Sequence, residues 1–177
     1  MGKSREERRQ NVIEVLNKAR SMELQAIHQY MNQHYSLDDM DYGELAANMK
    51  LIAIDEMRHA EMLAERVKEL GGEPTSELAG KIVKGQSAEE IFEHAAGEED
   101  DAVDAYNQFL LVCRENGDST SMKIFEQMID EEQEHFNYFD SINEHISNLG
   151  KTFLAQKAGT SADTGGVSKS FINKGNA

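Results

Sequence analysis

Glu56 and His59 stand three residues apart in a run from about Tyr42 to Leu70 that no proline interrupts. That run is long enough for about eight helical turns. At this spacing the two side chains share one helical face. The rest of that face is apolar: Leu45, Met49, Ile52, Leu63 and Leu70. A carboxylate and an imidazole in such a stripe need partners, because burying unpaired charge is costly. Glu132 and His135 repeat the pattern in a second stripe near the C-terminus. Two such pairs point towards a metal.

The other helices follow from caps and apolar spacing. Ser4 with Glu7 three residues on is a capping box. It opens a first helix whose inward stripe is Val12, Leu16, Ala19, Glu23, Ala26, Ile27 and Tyr30. The pattern lapses from His34, and a turn is predicted through Asp38-Asp39-Met40-Asp41. The second helix stops at Gly71-Gly72, with Pro74 beyond. Residues 71–86 form a connection of about 16 residues, which at up to ~3.3 Å each can run the length of a helix. Ser87-Ala88-Glu89-Glu90 opens a third helix with the stripe Phe92, Ala95, Glu99, Ala102, Tyr106, Phe109 and Cys113. After Asn116-Gly117-Asp118, a fourth starts near Ser119 and turns Phe125, Met128, Glu132, His135, Phe139 and Ile142 inward. The expected fold class is all-α, a four-helix bundle with a long crossover between helices two and three. Lys151 to Lys157 adds a short C-terminal helix. Residues 158–177, rich in Gly, Ser, Thr, Lys and Asn, read as a flexible tail after a domain spanning 1–157.

Each helix therefore carries an ionisable intruder in its buried face: Glu23, Glu56 with His59, Glu99, and Glu132 with His135. One Glu from each of two helices and a Glu-x-x-His from each of the others is how a bundle holds two metal ions. Four carboxylates brought together repel, and cationic charge between them removes the repulsion. Oxygen ligands with two nitrogens suit Fe²⁺, Mn²⁺ or Zn²⁺. In the arrangement expected here, Glu56 and Glu132 bridge, Glu23 and His59 complete one iron, and Glu99 and His135 the other.

Around these, Tyr30 is a buried hydrogen-bond partner or a redox-active phenol, and Tyr106 reads as a packing residue. Glu61, Glu65, Glu69, Glu131 and Glu134 lie off the stripes and read as solvent-facing. Asp55 and Glu131 nevertheless directly precede the Glu-x-x-His pairs, where they can hydrogen-bond ligand histidines across helices. His28, His34, His94 and His145 read as surface groups or local pairs. Met57 lies off the inner stripe on a face with Ala53, Ala60 and Ala64, an apolar surface that another subunit or a flat ligand could cover.

The net charge of −15 argues against nucleic acid or an anionic membrane as partner. The single Cys113 sits in an apolar run and supports neither a disulfide nor a cysteine metal site. The N-terminal residues lack a signal-peptide core, and no apolar run reaches about 18 residues. A cytoplasmic location is the default expectation.

Asn17-Lys18-Ala19-Arg20-Ser21-Met22-Glu23-Leu24, Ile54-Asp55-Glu56-Met57-Arg58-His59-Ala60-Glu61 and Asp130-Glu131-Glu132-Gln133-Glu134-His135 make the chain resemble the bacterioferritins. The likeness covers residues 5 to 157 and is strongest to the type from sulfate-reducing bacteria. It implies a ferritin-like fold, and diiron ligands at Glu23, Glu56, His59, Glu99, Glu132 and His135, with Tyr30 near the centre. It assigns Met57 as a haem ligand, one from each of two subunits, with iron-coproporphyrin as the haem. It further implies ferroxidase activity, in which Fe²⁺ is oxidised by O₂ or H₂O₂ and stored as ferric mineral in a shell of 24 subunits built from haem-bridged dimers. A small electron-donor protein is a further expected partner. Some members carry a histidine and an acid where this chain has Leu51 and Ile52, so an iron site there is not expected. A rubrerythrin-like peroxide scavenger is the alternative within enzymes, disfavoured by the lack of a Cys-x-x-Cys pair. A DNA-protecting mini-ferritin is the other, disfavoured by the charge.

Overall fold

A computed structural model describes residues 2–164 and 170–172. Five helices account for its regular structure: α1 (Arg5–Asp39), α2 (Gly43–Glu69), α3 (Ala88–Glu115), α4 (Ser119–Leu149) and α5 (Lys151–Lys157). No strand occurs among the described residues. Both capping boxes form. The Ser4 hydroxyl accepts from Glu7 N and the Ser87 hydroxyl from Glu90 N, while each glutamate returns a bond to its cap's N–H. At α4 the cap is Asp118, whose carboxylate accepts from the N–H groups of Thr120 and Ser121.

α1 packs along α2 and α3 along α4 as two antiparallel hairpins, with thinner contact between the pairs. The α1–α2 turn is tighter than expected. α1 stays helical through Asp39, and Asp41 adopts a positive φ of 65°, a conformation aspartate tolerates better than most residues. Because the helix continues, His34 is buried rather than on the surface, with Nδ1 2.8 Å from the Ala46 carbonyl oxygen. His28 and His145 are exposed, and His94 is half-buried beside Glu98.

The crossover is laid along α1 by a ladder of hydrogen bonds, most of them through side chains. Asn17 Nδ2 donates to Glu73 O, Ala79 N to Ser21 O, Val83 N to Gln29 Oε1, and Gln33 Nε2 to Gln86 Oε1. The chain thereby returns to the end where α2 began, and α3 starts beside Leu45 and Ala46. Helices α2 and α3 therefore run parallel.

Two apolar clusters fill the bundle. One lies towards α5 and contains Leu37, Leu45, Phe92, Phe139 and Ile146. The other lies towards the far end and contains Leu16, Leu63, Val67, Cys113 and Phe125. Cys113 is a buried hydrophobe, its thiol pushed up to about 12 by burial. No helix among the described residues is long and apolar enough to cross a membrane.

Beyond α5, low-complexity composition predicts a mobile tail, yet the described parts of that segment rest on the bundle. Gly159 N donates to Asp41 O, and Thr160 pairs with Tyr42. Thr160 Oγ1 accepts from Glu44 N at 2.7 Å. The physical reason is local: backbone groups exposed at the α1–α2 turn need partners, and this segment supplies them. Residues 165–169 and 173–177 of the predicted tail lie outside the described residues.

Gly43 is where that contact is tightest, since a Cβ there would meet the Thr160 carbonyl oxygen at 2.0 Å. Gly43→Ala must push the segment away, at an expected cost of about 1–3 kcal/mol. Thermal unfolding with limited proteolysis checks this. The expected result is a lower midpoint and faster cleavage near residue 160, and an unchanged midpoint would contradict the contact.

Candidate metal centre

Between the two apolar clusters lie Glu23 from α1, Glu56 and His59 from α2, Glu99 from α3, and Glu132 and His135 from α4. Each is at most 2 % exposed. The spacing of three places each Glu-x-x-His pair on one face, and the antiparallel hairpins bring the two faces together.

The two imidazoles use the same atom in the same way. His59 Nδ1 lies 3.0 Å from Glu56 Oε2, 3.0 Å from Glu132 Oε1 and 3.6 Å from Glu23 Oε2. His135 Nδ1 lies 3.0 Å from Glu132 Oε2, 3.2 Å from Glu56 Oε1 and 3.8 Å from Glu99 Oε2. Glu56 and Glu132 thus divide their oxygens, one towards each histidine, while Glu23 and Glu99 each serve one side. Two sets of ligand atoms result, each within 4.8 Å: Glu23, Glu56, His59 and Glu132, and Glu56, Glu99, Glu132 and His135. Each set offers three oxygens and one nitrogen, a donor set for a hard or borderline divalent ion. Glu56 Oε1 makes no hydrogen bond and has only the ion-pair contact with His135 Nδ1 at 3.2 Å, so it keeps acceptor capacity for a cation.

Further groups fix the outer sides. His59 Nε2 lies 2.9 Å from Glu131 Oε2, and His135 Nε2 lies 3.5 Å from Asp55 Oδ2. Each carboxylate thus reaches the histidine of the other helix. Glu131 is not fully solvent-facing, because this contact leaves its side chain 22 % exposed. Tyr30 Oη donates to Glu99 Oε1 at 2.5 Å, and Tyr106 Oη donates to Glu23 Oε1. Tyr106 is therefore more than a packing residue. The signal that identifies it is an internal repeat: Glu99, Tyr106, Glu131, Glu132 and His135 each follow Glu23, Tyr30, Asp55, Glu56 and His59 by 76 positions.

Met57, in contrast, points away and is 52 % exposed. Ala53 and Ala60, expected to share its surface, are each 3 % exposed because neighbouring helices cover them. Leu51 and Ile52 are buried, and neither brings a metal-ligating group.

On the α1/α3 side a cavity of ≈ 270 Å³ reaches the centre. Its floor is formed by Glu23, Tyr30, Glu56, Glu99, Tyr106 and Glu132, and its rim includes Glu98, Asp101 and Gly80 from the crossover. Acidic groups at the rim draw cations towards the opening.

Without metal, protons carry the compensating charge. Burial and the charge of Glu132 push Glu23 and Glu99 well above the usual carboxylate range. Burial opposes charging of His59 and His135, but the surrounding carboxylates outweigh it and raise both well above the ordinary histidine value. Burial also works against ionised Glu132, yet the two imidazoles hold it well below its usual range. Burial and adjacent carboxylates keep Tyr30 and Tyr106 as phenols.

Residues 13–149 match the ferritin-like domain family. The bacterioferritin of Desulfovibrio desulfuricans is 63 % identical over 172 residues, spanning 97 % of this chain and 96 % of that protein. BfrA of Mycobacterium tuberculosis is 33 % identical over 141 residues, 80 % of this chain and 89 % of its own. An X-ray structure of the D. desulfuricans protein, described for its diiron site in different catalytic states, superposes with a TM-score of 0.92 over 93 % of this chain and 96 % of that one. The M. tuberculosis BfrA structure gives 0.79 over 83 % and 93 %, at 33 % identity.

The raised groups make a linked pH prediction. Above about pH 6.5 the unfolded histidines and carboxylates have lost their protons, while the metal-free fold still holds them. The stability they contribute is complete below the unfolded values and is lost as pH rises through the folded ones. The lowered carboxylates are ionised in both states in this window and add no slope. A divalent ion must displace the same protons. Anaerobic Zn²⁺ titration in weak buffer is expected to release protons, with affinity rising with pH while metal-free stability falls. Binding without proton release would contradict this protonation state.

Proposed function

The chain belongs to the ferritin-like family, among the bacterioferritins, and from that premise we propose that it stores iron after oxidising Fe²⁺ at the centre between its four helices. The observation that carries the proposal is the division of Glu56 and Glu132 between two otherwise separate ligand sets. Fe²⁺ is the substrate. Glu23 and His59 bind one ion, Glu99 and His135 bind the other, and Glu56 and Glu132 give an oxygen to each. Four carboxylates balance two divalent ions, so the loaded centre is neutral with both imidazoles deprotonated. Each ion gives up one electron, and the pair supplies the two that reduce dioxygen to hydrogen peroxide, or peroxide to water.

The chain's other groups prepare that event. Tyr30 and Tyr106 each occupy one oxygen of a terminal carboxylate, leaving the second oxygen of Glu99 and Glu23 aimed at the metal position. Glu131 bonds the outer nitrogen of His59 and Asp55 faces that of His135 at ion-pair distance, so that Nδ1 of each histidine stays turned inward. Ions reach the centre through the α1/α3 cavity, past Glu98 and Asp101. Tyr30 is placed to supply an electron as well as a hydrogen bond.

Met57 is the ligand in this proposal for a haem shared by two copies, one thioether from each. Its exposure is what such sharing requires, and the chemistry the haem supplies is electron transfer. The same proposal includes a 24-subunit shell, cytoplasmic location and a small electron-donor protein as reductant.

Glu99→Ala removes one terminal carboxylate and leaves Tyr30 without its acceptor. Aerobic Fe²⁺ oxidation at low iron loading is expected to slow by at least about tenfold, and an unchanged rate would sink the assignment. For Met57, purified protein is expected to carry one haem per two chains in a very large particle, with a bis-thioether spectrum. Met57→His is expected to shift that spectrum while leaving metal binding at the centre intact. A haem spectrum indifferent to the substitution would remove Met57 as ligand.

A further inference from the structure

The 76-residue repeat gives the two metal positions the same ligands, but their backing differs. Asp55, behind His135, is 1 % exposed. It accepts from Arg58 Nη1 at 3.0 Å and from the backbone N–H of Ile172 at 3.0 Å, and Ser170 also bonds to it. Phe171 N donates to the Leu51 carbonyl oxygen at 3.3 Å. The Phe171 ring stands edge-on to the His135 imidazole at 5.8 Å and 74°, and lies 5.0 Å from the Tyr138 ring. Glu131, the counterpart of Asp55 in the repeat, is instead 22 % exposed, and its other oxygen accepts from Gln127 of its own helix at 2.8 Å.

A C-terminal segment more than a hundred residues from Asp55 in sequence therefore supports the backing of one histidine, while the other is backed from within α4. Three features make this a fitted contact. Ser170 is fully buried, two successive backbone N–H groups find acceptors on α2, and the aromatic ring covers the imidazole. The segment lies on the α2/α4 side, opposite the cavity that opens between α1 and α3.

We propose that Ser170-Phe171-Ile172 is a strap that positions Asp55 and the His135 ring, making the Glu99/His135 position retain its ion longer than the Glu23/His59 position. The inference rests on the two-metal reading of the centre. The strap residues touch no metal position themselves. They act by holding the carboxylate that orients the ligand imidazole and by excluding water from its outer edge. Loss of such outer support generally costs ten- to a hundredfold in metal affinity. The strap also occupies the α2 surface beside Leu51, so traffic of ions on that side is blocked and the α1/α3 cavity is left as the path to the centre.

Co²⁺, which does not react with the centre as Fe²⁺ does, tests this in the assembled full-length protein. Loading is followed by visible absorbance, and release by transfer to a chelator. The full chain is expected to bind two ions per subunit and release them in two phases. Phe171→Ala and a chain ending at Lys169 are each expected to speed the slower phase by about tenfold, with the faster phase unchanged. Phe171→Tyr is expected to restore slow release, and removal of residues 173–177 alone to change neither phase. Phe171→Ala keeps the chain length, so the answer does not depend on the shortened chain folding. Unaltered slow release in Phe171→Ala, or equal acceleration of both phases, would overturn the strap. Failure of the full chain to bind two ions would overturn the two-metal reading beneath it.

Discussion

The mutual repulsion of four buried carboxylates governs this bundle. Glu23, Glu56, Glu99 and Glu132 come from four different helices and meet where each helix is otherwise apolar. Any account of the fold must place positive charge between them. Without metal, two imidazoles and retained protons do so, and in the proposed loaded state two divalent ions replace the protons. On that proposal the centre couples folding to metal uptake, and both to pH.

The surrounding structure is arranged to tolerate that centre. Apolar clusters above and below it supply the burial that holds the hairpins together, so the polar layer does not have to. The groups at the centre are backed from outside: the glutamates of α1 and α3 by tyrosine hydroxyls, His59 by a hydrogen bond to Glu131, and His135 by an ion-pair contact with Asp55. Both seams between the hairpins are thinly packed; the cavity opens at the α1/α3 seam, while Phe171 and Ile172 bond to α2 on the other side.

The repeat of 76 positions shows how such a site can arise from two similar hairpins. Carboxylate, tyrosine and Glu-x-x-His recur in order, and the antiparallel pairing crosses them. Tyr30 serves the glutamate of α3, and Tyr106 the glutamate of α1. The halves diverge outside the ligands, at Asp55 and Glu131, and there the C-terminal segment enters.

Much of this was legible in the sequence because helices are periodic. A period of 3.6 residues made Glu23, Glu56, His59, Glu99, Glu132 and His135 visible as charged positions in apolar stripes, and Ser4 and Ser87 marked where two helices begin. The sequence also determined that Met57 lies off the inner face. It could not show which groups bond across helices, since those partners are set by packing rather than spacing. Tyr106 reads as an ordinary aromatic in a core stripe, and only the packing of α3 against α1 places its hydroxyl beside Glu23. His34 looked peripheral because the apolar pattern lapsed before the helix did. The C-terminal segment reads as unstructured because its composition carries no period, and its described residues make their contacts through backbone bonds, the hydroxyls of Thr160 and Ser170, and the Phe171 ring. Composition reports whether a segment can form a core by itself. Only the tertiary structure decides whether an existing core offers it partners.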